Sequence, residues 1–146
     1  MSSVMESVCE YISECPHIDP ELPLFLDYVS DKDCYCVTTI PNIPCTKDVI
    51  GNKTYTVTFQ FALRAAISND VERCRNMEFL EGFCKWIEEQ NERCSFPALA
   101  ANEEGKSIKV VESAALDEVS DDRVTGVYVA QLELKYKQYK HKTMKG

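Results

Sequence analysis

Eight cysteines and two histidines are the residues of this 146-residue chain that could bind a metal ion or perform redox chemistry. Protein zinc sites usually pair their ligands at short spacings such as C-x₂₋₄-C. Here Cys34 and Cys36 are separated by one residue, and His17 and His141 lie near opposite ends of the chain. On a strand, the two thiols would project to the same face, too far apart for an easy disulfide. We therefore expect reduced, structural cysteines without metal or cofactor; metal or redox chemistry in a small binding module or enzyme is the alternative.

Two pairs of adjacent acids, Glu88–Glu89 and Asp121–Asp122, are the other residues that could resemble a catalytic site. Paired catalytic carboxylates generally converge from different elements, whereas adjacent acids on a helix or a turn usually face solvent. The chain also lacks a P-loop, a Rossmann glycine fingerprint, an H-E-x-x-H motif and a G-x-S-x-G motif. These observations favour a protein that is not an enzyme, and only a site assembled by the fold would reverse that expectation.

The composition predicts one globular domain over residues 1–146, with a core over about residues 3–138. The apolar fraction is 45% and the chain has only five glycines, which is typical of a folded rather than a disordered protein. No segment approaches the roughly 18 apolar residues of a membrane-spanning helix. The N-terminus is acidic and lacks the plan of a signal peptide. We expect a cytosolic protein that does not contact a membrane.

The net charge of −8 is unevenly distributed. Residues 1–134 contain 11 basic and 24 acidic residues, hence −13, whereas residues 135–146 contain five lysines and no acid, hence +5. An acidic body repels phosphate backbones, which argues against direct nucleic-acid recognition. The basic end could bind an acidic patch on another copy or on a partner. From charge alone we favour a frayed, solvated tail over residues 139–146.

Apolar periodicity predicts two helices. The first covers about residues 3–14, where Ser3 and Glu6 resemble a capping box. The second begins after Asn69, a candidate N-cap, and ends near Cys94. In residues 79–91 it carries apolar side chains at i, i+3, i+4 and i+7, as a helix with one buried face does. These are Leu80, Phe83, Cys84 and Ile87.

Alternating segments predict the strands. Residues 54–65 place six apolar side chains on one face and polar ones on the other, which is the period of a half-buried strand. Further strands are predicted at residues 34–40, 46–50, 107–116 and 124–139, while residues 24–29 fit either a helical turn or a strand. Gly51-Asn52 indicates a two-residue hairpin turn, and Pro44 interrupts the preceding ladder.

The resulting order, α-β-β-β-α-β-β, predicts an α+β sandwich. We expect a mainly antiparallel sheet with two helices packed on one face. Trp86, Phe79 and Phe83 lie at helical spacing and are therefore expected in the core rather than in a ligand site.

Four segments of this plan together resemble a family of minor capsid, tail-terminator-like proteins of Gram-positive long-tailed phages and prophages. They are LPLFLDYVSD (residues 22–31), YTVTFQFALRAA (55–66), GFCKWIEEQN (82–91) and the late strand pair that ends in VAQLELKYKQ. The resemblance covers roughly residues 20–138. The cysteines and the lysine-rich end have no counterpart in the family pattern.

This resemblance implies a structural role in virion assembly. Members form rings, commonly hexameric, which cap the finished tail tube and connect it to the head. The implied partners are further copies of the chain, the tail-tube protein and the head-connector protein. The implied location is the bacterial host cytoplasm during assembly and then the head–tail junction of the virion. In such a ring, edge strands or a projecting hairpin form the contacts between subunits.

Six residues are predicted to lie in these contacts. The hairpin at Gly51 and Asn52 should project beyond the sheet. Lys135 and Lys137 on the solvent-facing side of the last strand should meet acids of the next copy, such as Asp121 and Asp122. The helical acids Glu88 and Glu89 are further candidates for that acidic surface.

Overall fold

The computed structural model describes residues 4–27, 32–40 and 43–140, except for the side chains of residues 113 and 114. Within these ranges, two helices and six strands follow one another in the order α-β-β-β-β-α-β-β. Their bounds are α1 Val4–Ser13, β1 Leu24–Leu26, β2 Cys34–Thr39, β3 Cys45–Lys47, β4 Lys53–Ala66, α2 Asp70–Glu92, β5 Glu103–Val119 and β6 Thr125–Gln138.

The strands of the described residues form a single sheet in the spatial order β1-β2-β4-β6-β5. On one side, β6 pairs with the whole length of β4. On the other side, β3 pairs with the first residues of β4 and β2 pairs with its later residues. Every pairing is antiparallel except the parallel one between β1 and β2. The sheet therefore has β1 at one edge and the 17-residue β5 at the other.

Both helices pack on one face of the sheet, called the inner face below. Its side chains form one buried cluster with Val8 and Ile12 of α1 and with Leu80, Phe83 and Ile87 of α2. The rings of Phe61 and Phe83 stack with centroids 4.1 Å apart. Burying each large apolar side chain contributes on the order of 1.5–3 kcal/mol, so this layer is the main source of stability.

The ends of α2 follow from local chemistry. Asn69 is its N-cap, and the Asn69 side chain accepts a hydrogen bond from the Glu72 backbone N–H at 2.9 Å. At the other end Cys94 adopts a positive φ of 55°, and the N–H groups of Cys94 and Ser95 bond to the carbonyls of Asn91 and Gln90. These are the bonds of a Schellman ending, formed here without a glycine.

The opposite, outer face of the sheet is mostly polar. Threonine, glutamine, lysine and glutamate side chains alternate there with the inner-face residues of β4 and β6. Its buried part is a small cluster of Cys36, Ala62 and Val127. The two helices of the described residues both contribute to the inner cluster, so this face is the solvent-facing side of the sandwich.

The predicted α+β sandwich is confirmed, with one correction to its order. Residues 24–26, which the sequence left undecided, form β1 and add a strand before α2. The predicted helices and the long strand over residues 54–65 are confirmed. Cys34 and Cys36 lie on the same face of β2, as predicted. β5 is longer than predicted, because its bulges let the strand continue through irregular positions. The described residues do not include the predicted capping residue Ser3, the proline at position 41 (Pro41) or residues 141–146 of the basic tail.

No helix in the described part of the chain is both long and apolar enough to cross a membrane.

Candidate interaction surfaces

The β3–β4 hairpin has a five-residue loop, residues 48–52, instead of the two-residue turn predicted at Gly51-Asn52. Its organising residue is Asp48, whose Oδ1 accepts hydrogen bonds from the backbone N–H groups of Ile50 (3.0 Å) and Asn52 (2.9 Å). The Gly51 backbone has a φ of 94°, which glycine adopts without strain. The two-residue turn was predicted from Gly51-Asn52 alone. The prediction did not include Asp48, three residues before Gly51, whose side chain closes the loop.

Two aliphatic side chains form the tip of this loop. Val49 is fully exposed and Ile50 is 62% exposed. By contrast, the predicted contact residue Asn52 is only 5% exposed, and its Oδ1 accepts a hydrogen bond from the Lys140 backbone N–H. The loop therefore exposes Val49 and Ile50 at its tip, while Asn52 holds the backbone of Lys140 against the loop. Two aliphatics directly before a glycine turn signal were the overlooked indication in the sequence.

The predicted lysines lie on an interior strand, since β6 runs between β4 and β5. Their side chains belong to the outer face and are half-buried among neighbouring strands. Lys137 Nζ lies 3.8 Å from an Asp48 carboxylate oxygen and 5.3 Å from the centre of the Tyr139 ring. Lys135 forms no ion pair with any residue that the structure describes. Of the two lysines, only Lys137 is thus ion-paired with a described acid.

The predicted acids Asp121 and Asp122 lie in the exposed β5–β6 turn. Asp122 Oδ1 accepts hydrogen bonds from the Ser120 hydroxyl at 2.6 Å and the Val124 N–H at 3.1 Å. These bonds, led by that of Ser120, lower the pKa of the Asp122 carboxyl below its ordinary value. Asp122 therefore has a structural role in the turn, whereas Asp121 extends into solvent without such bonds.

The distal half of β5 was not predicted as a contact. From residue 111 to residue 119 every side chain that the structure describes is exposed, on both faces of the strand. Val111, Leu116 and Val119 are 43–45% exposed. β5 pairs with β6 on one side only, so its other side is a strand edge in the described part of the chain. A long edge with exposed aliphatics is a surface at which another chain commonly pairs or packs.

The two helical acids and a cleft at the start of β5 are the remaining candidate sites. Glu88 and Glu89 are adjacent, exposed residues of α2, and they belong to no described group of three or more His, Cys, Asp or Glu side chains that could hold a metal ion. A cleft of about 620 Å³ lies between residues 94–99 and the start of β5. There Glu104 forms an ion pair with Lys106 and accepts a hydrogen bond from the Tyr139 hydroxyl. Its polar groups are thus engaged with one another.

The cysteines are dispersed through the fold. Among the described residues, no group of three or more Cys, His, Asp or Glu side chains is placed to hold a metal ion. Burial is the main cause that raises the pKa of the Cys9 and Cys15 thiols, which lowers their reactivity. Cys84 is half-buried against the core, as its place on the apolar stripe predicts.

The predicted contact residues therefore fall into two groups at opposite ends of the sheet. Gly51, Asn52 and Lys137 are brought together around Asp48, and Asp121 and Asp122 lie at the far end, beyond the last pairs of β5 and β6.

Comparison with known proteins adds no relative. The sequence matches no protein-family model, and no curated protein matches it.

Proposed function

We propose that this chain is a structural protein of phage or prophage assembly, a tail-terminator or head–tail joining component. In this role it assembles with copies of itself into a ring that caps the tail tube and connects it to the head. The proposal includes a non-catalytic role, with the tail-tube and head-connector proteins as partners. The sequence resemblance over residues 20–138 supplies the kind of assembly, and the exposed surfaces supply a physical reason to assemble.

The single observation that carries the proposal is the distal half of β5. A soluble monomer normally shortens, twists or covers its sheet edges, because unpaired N–H and C=O groups pair readily with other chains. Here an edge strand extends over nine residues with exposed Val111, Leu116 and Val119. Because the bulges of β5 already interrupt regular pairing along this edge, it is the exposed aliphatic side chains that favour a neighbour covering the strand in the working assembly.

The second exposed apolar site strengthens this argument. Val49 and Ile50 project from a loop whose backbone is held by Asp48 and by the bond between Asn52 and Lys140. A braced loop loses little conformational entropy when it binds, so its exposed aliphatics are suited to a protein contact. Neither site contains a group that would act on a small substrate, which favours assembly over catalysis.

Two measurements test the proposal. Light scattering over a range of concentrations should show a ring-sized oligomer of the purified protein, or one that forms when tail-tube protein is added. Electron microscopy of tail tubes mixed with the protein should show density at one end of the tube. A protein that stays monomeric at every concentration and leaves tail tubes unbound would refute the proposed function.

A further inference from the structure

The two ends of the sheet carry opposite charges. The first, called the basic end, comprises residues 47–53 and 137–140. It holds four lysines and one aspartate, a net charge of +3. The lysines are Lys47, Lys53, Lys137 and Lys140, and the acid is Asp48. The adjacent start of β5 adds Glu103, Glu104 and Lys106, which leaves this end of the sheet at +2.

The second, called the acidic end, comprises residues 117–124 around the β5–β6 turn. It holds four acids and one arginine, a net charge of −3. They are Asp117, Glu118, Asp121, Asp122 and Arg123. All five side chains are exposed, so a partner can approach them directly.

Strand register places these ends far apart. Lys53 pairs with Lys47 and Gln138 at one end of the sheet, and Ala66 and Val119 lie opposite neighbouring residues of β6 at the other. β4 has 14 residues, so at about 3.3 Å per residue the two ends are separated by roughly 45 Å. That distance is several Debye lengths at physiological salt, so the ends interact weakly with each other within one molecule.

Each end also exposes aliphatic side chains beside its charges. The basic end presents Val49 and Ile50, and the acidic end presents Val119 and Val124, which are 44% and 47% exposed. Each end therefore has a small apolar centre beside its charges, and the charges at the two ends have opposite signs. Complementary charge steers the approach and sets the orientation, while apolar contact at the centre supplies most of the affinity.

We propose that the basic end of one copy docks onto the acidic end of the next copy, so that subunits associate head to tail. This inference rests on the proposed function, because it names the surfaces through which the self-assembly would occur. A contact between two different surfaces is heterologous; repeated from subunit to subunit, it forms a ring if the rotation between copies closes and an open filament if it does not. Every subunit then uses one basic end and one acidic end.

The charges also disfavour the simplest competing contact. If two copies paired through the distal halves of β5 about a two-fold axis, Glu112, Asp117 and Glu118 of one copy would lie near the same acids of the other. Like charges brought together in this way oppose association. Head-to-tail docking instead brings each acidic group to lysines.

The test uses one charge-reversal variant at each end of the full-length protein. The basic-end variant carries Lys47→Glu and Lys53→Glu. The acidic-end variant carries Asp117→Lys and Asp121→Lys, and it retains Asp122 because that side chain holds the turn. Matched controls make the same charge changes on exposed positions of α2. They are Arg75→Glu with Lys85→Glu, and Glu78→Lys with Glu81→Lys.

Each end variant should weaken self-association at least ten-fold at low salt, as measured by sedimentation velocity, whereas both controls should assemble like the wild type. An equimolar mixture of the two end variants should recover association, because the intact acidic end of one variant meets the intact basic end of the other and their reversed ends also carry opposite charges. Circular dichroism melting checks the fold. If a reversal variant does not fold, the neutral changes Lys47→Gln and Asp121→Asn should produce a smaller loss in the same direction.

Assembly of either folded end variant as in the wild type would overturn the head-to-tail contact, and so would a mixture that associates no better than each variant alone. In both cases a wild-type ring would leave the proposed function standing. A wild-type protein that stays monomeric but binds tail tubes would overturn this self-contact alone. A wild-type protein that stays monomeric and does not bind tail tubes would overturn both the head-to-tail contact and the proposed function.

Discussion

The hydrogen bond between Asn91 and the free edge of the sheet leads to a quantitative prediction about stability. Asn91 lies in the last turn of α2, and its Oδ1 accepts the backbone N–H of Ile108 in β5 at 3.0 Å. Ile108 is fully buried. β5 has a strand partner on one side only, so this side chain takes the place of a neighbouring strand for that amide.

Asn91→Ala should destabilise the protein by about 1–2 kcal/mol. Loss of the acceptor leaves a buried N–H group unsatisfied, which costs on the order of 1–3 kcal/mol. The higher helix propensity of alanine offsets up to about 0.7 kcal/mol of that loss. For a domain of this size, the net change corresponds to a decrease in Tm of roughly 2–8 °C.

Urea unfolding followed by circular dichroism measures the change, and hydrogen exchange of the Ile108 amide identifies its origin. Glu92→Ala is the matched control, since Glu92 is an exposed residue of the same last turn of α2. The control should stay within about 0.5 kcal/mol of the wild type. If Asn91→Ala is as stable as the control and the Ile108 amide exchanges no faster, the reasoning about this edge is wrong.

Three further predictions concern packing, pH and thiol reactivity. Gly105→Ala should cost about 1–3 kcal/mol in urea unfolding, because the added methyl would lie 2.5 Å from Phe96 Cβ. Gly82→Ala should cost less, because the facing His17 ring can move and alanine favours the helix; an equal loss would contradict this. Although desolvation acts to raise the pKa of Asp48, the hydrogen bonds from Asn52 and Ile50 together with Lys137 lower it below the ordinary value. Its stabilising contribution is therefore present above about pH 4 and is lost as the pH falls through the lowered pKa. Acid titration of Asp48→Ala should show a smaller loss of stability below pH 4 than the wild type, and identical profiles would contradict the assignment. A thiol reagent should modify three cysteines of the native protein rapidly and the buried ones only after unfolding, and rapid modification of a buried cysteine would argue for local opening. The three are Cys45, Cys74 and Cys94.

Much of the secondary structure could be read from local patterns. The alternation in residues 54–65 and the i, i+3, i+4 stripe of α2 each arise from a face that must be buried, so the pattern itself reports the element. The sequence could not predict whether β1 is a strand, because the mostly apolar run of residues 24–29 fits one turn of helix as well as a short strand. Its partner β2 begins eight residues after β1 ends, and only the parallel pairing between them selects the strand.

The candidate surfaces were less accessible to such reasoning. The residues of the acidic turn and of the Gly51 loop were recognisable because turn chemistry is local. The roles of Asp48, Asn52 and Lys137 within the fold depend on contacts between residues up to 89 positions apart. A pattern of single residues does not contain that information.

The sequence by itself therefore determined the class of the fold, the buried face of each long element and the excess of acids over most of the chain. Only the tertiary structure decided that β6 lies inside the sheet, that β5 forms its free edge, and that lysines and acids gather at opposite ends. The physical reason is that β4 and β6 follow the same alternation rule, while the bulges of β5 interrupt it. Alternation specifies which side of a strand is buried, whereas the neighbour of each strand is selected by packing and hydrogen bonding among segments far apart in the chain.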